Sequence, residues 1–453
     1  MLAAFNSVYN ESGLRSLLTS TFDIKILCLQ RFVRQFAYGQ TTLILVSFFI
    51  ELNFSKERIG LFMTLTLAGD ILISFFLALY ADRVGRRAIL AFGAALMVAS
   101  GIIFALSSNY WIPLAAAVAG VLSPSGNEIG PFRAIEESVV AHLTTSDVRA
   151  DIYAWYGLIG QTGAAIGILS CGWLVQYLHN SDWEFLTAYR LIFNLYSALG
   201  AIKIALAVVQ SSAVEIRETK PQQSDSLSNP APTEGEPLLQ RTPPQQQKLR
   251  IVKRLLPQLD RQRAVVIVPL CLLFALDSFA SGLAPLSWLT DYFLSHYDIE
   301  EGALGFLFFI TAIIAAFSSL VAASLAKRFG NVKVMVFTHL PSSIFLALIP
   351  TSDDVRLSSL FLILRSCTST MDVAPRRAFL AAILQPEERT AILGTINLAK
   401  TLAQGLGLFA TGLLAGANVF WIAFACAGGL KICYDLGLLA LFKNHEHSNA
   451  YTF

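Results

Sequence analysis

Apolar residues run along this chain in blocks of about twenty, long enough to cross a bilayer as helices, and short polar stretches punctuate them. A window of that length places about twelve spans, centred near Phe36, Asp70, Met97, Asn127, Gln161, Ser197, Asp277, Ile314, Pro341, Met371, Leu402 and Lys431. Half precede a long polar stretch, Ser211 to Arg263, and half follow it. That stretch is rich in Gln, Pro and Ser, as at Pro221-Gln222-Gln223 and Pro243 to Gln247, and buries too little apolar surface to fold alone. The pattern predicts an all-α polytopic membrane protein. Its expected parts are a cytosolic N-terminus over 1–23, a six-helix bundle over 24–210, a disordered cytosolic linker over 211–262, a second six-helix bundle over 263–442 and a cytosolic tail over 443–453.

Composition agrees, since 55% hydrophobic and 14% charged residues over 453 positions are too apolar for a soluble chain of this length. A net charge of +2 gives no reason to expect a nucleic-acid partner. The six cysteines lie in or beside apolar stretches without metal-ligand spacing, so a disulfide framework, a zinc site or another cofactor is not expected. Phosphate loop, nucleophile elbow and paired-His motifs are missing, which argues against an enzyme. Met1 to Lys25 lacks the long apolar core of a cleaved signal, leaving the first span as the targeting element.

Basic residues in the short loops set the orientation. Arg83, Arg86, Arg87, Arg149, Lys327, Arg328, Lys333 and Arg389 alternate with loops that are acidic or poor in Lys and Arg, such as Asp298, Glu300, Glu301, Asp353 and Asp354. The basic set marks the cytoplasmic side and puts both termini and the linker in the cytosol. Glu234 to Leu239 in the linker fits an acidic dileucine sorting pattern, and Asn53-Phe54-Ser55 is a glycosylation acceptor too close to a helix end for use.

The two halves repeat one another. Asn127-Glu128-Ile129-Gly130-Pro131-Phe132-Arg133 matches Met371-Asp372-Val373-Ala374-Pro375-Arg376-Arg377, each with a carboxylate, a proline three residues on and an arginine shortly after. Ile59-Gly60 matches Leu304-Gly305; Ala81 to Gly85 matches Ala326 to Gly330; Arg149, Gly167 and Gly172 match Arg389, Gly407 and Gly412. An even number of spans per copy makes this a parallel repeat about an axis along the membrane normal.

Ala78-Leu79-Tyr80-Ala81-Asp82-Arg83-Val84-Gly85-Arg86-Arg87 resembles the loop signature of the major facilitator superfamily between its second and third helices. The second copy departs from it, with Lys327 for the Asp and Asn331-Val332 for the Arg pair. Ser123 to Glu137 and Met371 to Arg377 further resemble a subgroup common in fungi. The resemblance implies a secondary transporter working by alternating access. It also implies a cytosolic latch built from Asp82, Arg83, Gly85, Arg86 and Arg87, with Glu136 and Glu137 tying down Arg86.

Charges inside spans carry the candidate chemistry, because each costs about 3 kcal/mol or more unless paired or facing water. Asp70, Glu128, Asp277 and Asp372 lie near span centres, as do Arg34, Lys400 and Lys431. Desolvation makes such carboxylates candidates for proton coupling, Glu128 first and Asp372 next. Arg31, Arg34, Gln35 and Tyr38 share one helical face. The resemblance implies that this face converges with Asn127, Glu128, Arg133, Asp277, Asp372 and Arg376 on a central substrate site. Arg34 is open to two readings there, a cargo-binding cation or a buried clamp on Asp277 or Glu128. Pro131 and Pro375 are expected to kink their helices beside the carboxylates. Lys431 and Asp435 are spaced as a mutual ion pair, and the glycines Gly157, Gly160, Gly163 and Gly167 as a packing face.

The expected protein is a proton-coupled transporter of a small polar or charged organic molecule. It is expected as a monomer among membrane lipids, in the plasma or the vacuolar membrane. The alternatives are an exporter of a secondary metabolite by proton antiport and, from another class, a non-transporting membrane sensor.

Overall fold

The computed structural model describes residues 13–120, 122, 131–215, 261–384 and 389–442. All regular elements among them are helical. In the first half these are α1 (Leu14–Thr19), α2 (Phe22–Glu51), α3 (Lys56–Val84), α4 (Arg86–Leu106), α5 (Trp111–Gly120), α6 (Pro131–Leu143), α7 (Ser146–His179) and α8 (Phe185–Val209). In the second they are α9 (Arg261–Leu283), α10 (Leu286–Tyr297), α11 (Glu301–Phe329), α12 (Asn331–Leu348), α13 (Val355–Ser366), α14 (Val373–Ile383), α15 (Arg389–Gly416) and α16 (Phe420–Phe442). Among the described residues, eight helical runs are long and apolar enough to cross a membrane on their own. The fold is all-α and polytopic, with two bundles of six passes each. Alternate helix ends gather at a linker end, near Ser211 and Arg261, and at a far end, near Asn53 and Asp298.

Helix pairing repeats between the halves. The closest partners in the first are α2 with α7 and α4 with α8; in the second they are α9 with α15 and α12 with α16, the same passes counted from the start of each half. Across the halves α7 packs on α11 and α3 on α15, two contacts that the same twofold exchanges.

Small residues make these contacts possible, since helices in lipid adhere by close packing rather than by apolar burial. A Cβ added to Gly60 would stand 2.8 Å from the Cα of Gly412, and one added to Gly305 would stand 3.2 Å from the Cα of Gly172. Gly60 corresponds to Gly305 and Gly412 to Gly172 in the sequence repeat, so one contact is the image of the other. Within the bundles Gly163 and Gly167 of α7 lie against the Phe32 and Phe36 carbonyls of α2, and Gly407 lies against Phe279 of α9. Nothing lies within 4 Å of a Cβ on Gly157.

The α3–α4 and α11–α12 turns also match. Gly85 has φ +96° and ψ 139°, Gly330 φ +89° and ψ 156°, a region in which only glycine sits without strain. Near the far end, Phe48, Phe49, Phe62, Phe104 and Phe193 pack together, some rings tilted and others edge to face, as at 4.8 Å between the Phe48 and Phe193 rings, joining α2, α3, α4 and α8.

Pro375 does not kink a continuous helix as expected. The tenth pass breaks after Ser366, turns through residues 367–372 and restarts at Val373. Pro375 then sits in the first turn of α14, where its missing N–H leaves no helical bond unmade. The counterpart stretch around Glu128 lies outside the described residues.

Candidate functional site

A cavity of about 370 Å³ opens inside the second half. Asp277, Ser278 and Ser281 reach it from α9, His339 and Ser342 from α12, Arg365 from α13, Asp372 and Arg376 from the start of α14, Lys400 and Gln404 from α15, and Lys431 from α16. Helical spacing explains several of these faces, because Asp277 and Ser281, Asp372 and Arg376, and Lys400 and Gln404 are each four residues apart.

Four charges form one chain of contacts across three helices. Lys431 Nζ lies 2.7 Å from Asp277 Oδ1 and donates to Ser281 Oγ at 2.8 Å. Arg376 Nη1 stands 3.3 Å from the other Asp277 oxygen, and its Nη2 donates to the Asp372 carboxylate. Two cations and two carboxylates thus balance in a buried site, the condition under which such charges persist in a membrane. The Arg376 guanidinium also faces the Phe274 and Tyr434 rings at 5.5 and 5.8 Å. Lys431 and Asp435 are not the mutual pair that their spacing suggests. Lys431 turns to α9, and both oxygens of Asp435 are taken by His339 Nδ1 of α12, at 2.9 and 3.0 Å.

In the first half Arg34 is a clamp, but on neither expected partner. Its Nη1 and Nη2 reach Glu136 Oε1 and Oε2, both at 2.7 Å, in a bidentate pair with 1% and 0% exposure. The Tyr156 hydroxyl donates to the same carboxylate, and the Arg31 guanidinium stacks 4.2 Å from the Tyr156 ring centroid. Gln35 and Tyr38 are buried on α2 with them. Arg31, Arg34, Gln35 and Tyr38 therefore pack inside the first bundle and do not line the cavity of the second. Of the expected site, Asp277, Asp372 and Arg376 come together.

Glu136 accordingly does not tie down Arg86. Arg86 Nη2 donates to Ser138 Oγ at 2.8 Å, while the backbone N–H groups of Arg86 and Arg87 donate to Glu215 at 2.7 and 3.0 Å. Glu215 thus caps the positive end of α4, close to Gly85. The Glu137 carbonyl accepts from the Tyr153 hydroxyl at 2.7 Å. Asp70 is buried on α3. Asn127 and Glu128, and the side chains of Asp82, Arg83 and Arg133, lie outside the described residues.

The halves meet most closely in the far half of the molecule. Lys56 bridges to Asp291 at 2.8 Å, the Thr64 hydroxyl donates to the Gly405 carbonyl at 2.8 Å, and Gln176 donates to Glu300. Sequence reasoning missed Arg365, His339, Gln404 and Glu215. Arg365 carried a usable signal, a charge at the end of the apolar run Leu360 to Leu364; Gln404 carried none.

Residues 27–293 and 270–450 match the profile of the Major Facilitator Superfamily. "Uncharacterized membrane protein YJR124C" of Saccharomyces cerevisiae is 36% identical over 428 residues, covering 93% of this chain and 94% of the relative. The chain belongs to the Major Facilitator Superfamily. Solved structures agree at the level of fold. The nucleoside transporter NupG superposes with a TM-score of 0.65 at 16% identity over 93% of this chain and 100% of its own. The D-xylose-proton symporter superposes with a TM-score of 0.66 at 14% identity over 92% and 96%. In the superfamily's terms, the cavity lies within the second bundle and the close glycine contacts join the two.

Proposed function

We infer that this protein is a secondary active transporter that moves a small polar or charged organic molecule by alternating access, driven by protons. The observation that carries the reading is the buried chain Asp372–Arg376–Asp277–Lys431, set beside a polar cavity near the middle of its passes. A balanced cluster of this kind is bistable. One proton on Asp372 removes a partner of Arg376 and leaves an uncompensated cation facing the cavity, so proton binding and cargo binding become linked. The far-half contacts support the second element of the reading, a closed gate that must part for the cavity to reach the other side. With the linker end in the cytosol, as the basic loops favour, this conformation is the one closed to the outside. The plasma membrane and the vacuolar membrane both suit such an orientation.

The test is uptake by the purified protein in sealed proteoliposomes, with an imposed pH gradient and a panel of labelled organic acids, amino acids, sugars and nucleosides. Accumulation of one class that collapses when the pH gradient is dissipated is the expected result. Uptake that proceeds only down its own gradient, and is indifferent to pH, contradicts proton coupling.

A further inference from the structure

Two cations in the second-half cavity are left over once the balanced chain is complete. Lys400 Nζ approaches the Phe274 ring at 5.9 Å, and among the described residues neither Lys400 nor Arg365 makes an ion pair or a side-chain hydrogen bond. Arg365 Nε is buried without a partner. The cavity lining therefore carries Arg365, Arg376, Lys400 and Lys431 against Asp277 and Asp372, with Asp435 one layer behind on His339. The bland reading is that Arg365 merely ends α13, where a cation suits the negative end of the helix dipole. That term is worth about 1 kcal/mol at most sites and falls short of the cost of a lone charge at this depth, about 3 kcal/mol. It does not account for Lys400, which stands mid-helix on α15.

We propose that Arg365 and Lys400, with the Gln404 amide beside them, form the binding site for an oxyanion, the carboxylate or phosphate of the transported molecule. This deepens the transporter reading and rests on it for the word "transported". Arg365 has the planar fork that matches two oxygens of such a group. Lys400 supplies a mobile point charge on the facing helix, and Gln404 lies one turn along α15 from it. Hydroxyls of Ser278, Ser342 and Ser369 line the same space and suit the polar remainder of the cargo. When Asp372 takes a proton, Arg376 joins the first two cations, so anion and proton bind best together and travel in the same direction.

The decisive experiment is binding to the purified full-length protein in detergent, without any gradient. Thermal stabilisation and calorimetric titration would use succinate, citrate, glutamate, inorganic phosphate and glucose 6-phosphate, with glucose and choline as neutral and cationic controls. At least one anion should bind and both controls should not. Arg365→Gln and Lys400→Gln should each raise its Kd at least about tenfold, the loss of a charged hydrogen bond. In both variants the unliganded protein should melt no lower than wild type, because a cation without a counter-charge has been removed from the cavity wall. Failure of every anion to bind overturns the proposal, as does equal binding by wild type and Arg365→Gln, or a lowered melting point of unliganded Arg365→Gln. Anion binding without pH-driven uptake would refute proton-coupled transport and leave the site standing. Uptake of a neutral or cationic cargo alone would do the reverse.

Discussion

Arg34 and Glu136, on the first and fourth passes, close a bidentate ion pair deep in the first bundle, with no exposure for the carboxylate and 1% for the guanidinium. Its place argues for a structural part, since it joins α2 to α6 and, through Tyr156, to α7.

Removing one partner strands the other charge, which costs about 3–5 kcal/mol in a buried pair. Arg34→Ala and Glu136→Ala should each cut the yield of folded, monodisperse protein severely. The double variant Arg34→Met with Glu136→Leu should recover much of it. Size-exclusion profiles and melting temperatures of the set decide the point; a well-folded Arg34→Ala protein that has lost only cargo binding would return Arg34 to the substrate site.

Gly172 of α7 faces Gly305 of α11 with no room for a side chain. Gly172→Val should therefore hold the far ends apart without unfolding either bundle. A Thr64→Cys reporter, in a background with the exposed Cys426 and Cys433 changed to Ser, should label several-fold faster with an impermeant maleimide when Gly172 is Val. Unchanged labelling would mean that this contact does not control the far-end gate.

Glu215 accepts two backbone N–H bonds at the start of α4. Glu215→Ala should cost about 1 kcal/mol, as loss of a helix N-cap does, and Glu215→Gln less than that. Melting of the purified protein reads both.

The duplicated plan was legible in the sequence because the repeat lies in backbone requirements. Gly85 and Gly330 hold φ values that side chains exclude, and Gly60, Gly172, Gly305 and Gly412 hold helices at a distance that side chains would prevent. Neither demand tolerates substitution, so both leave matched glycines in the text of the chain. Ion pairing was less legible. Lys431 and Asp435 share a helix face by spacing, yet each finds a better partner on a different neighbour, Asp277 and His339. Glu136 was placed with Arg86 by analogy, but the side chain turns to α2 and not to the α3–α4 turn. Which helix faces meet is decided by packing across the bundle, and no local pattern encodes it. Asp277, Asp372 and Arg376 were found because charges in apolar spans stand out singly; Arg365 was passed over because it closes a short run that the break at residues 367–372 interrupts.

The central claim is that the Asp372–Arg376–Asp277–Lys431 chain couples protons to movement of cargo, and Asp372→Asn tests it most directly. The amide has the shape of the protonated acid and carries no charge in any state, so Arg376 keeps Asp277 as its one charged partner throughout the cycle. In proteoliposomes the variant should still exchange labelled cargo between two pools at a rate near wild type, while accumulation driven by a pH gradient alone falls to background. Accumulation of cargo by Asp372→Asn against its own gradient, with only pH to drive it, would contradict the account.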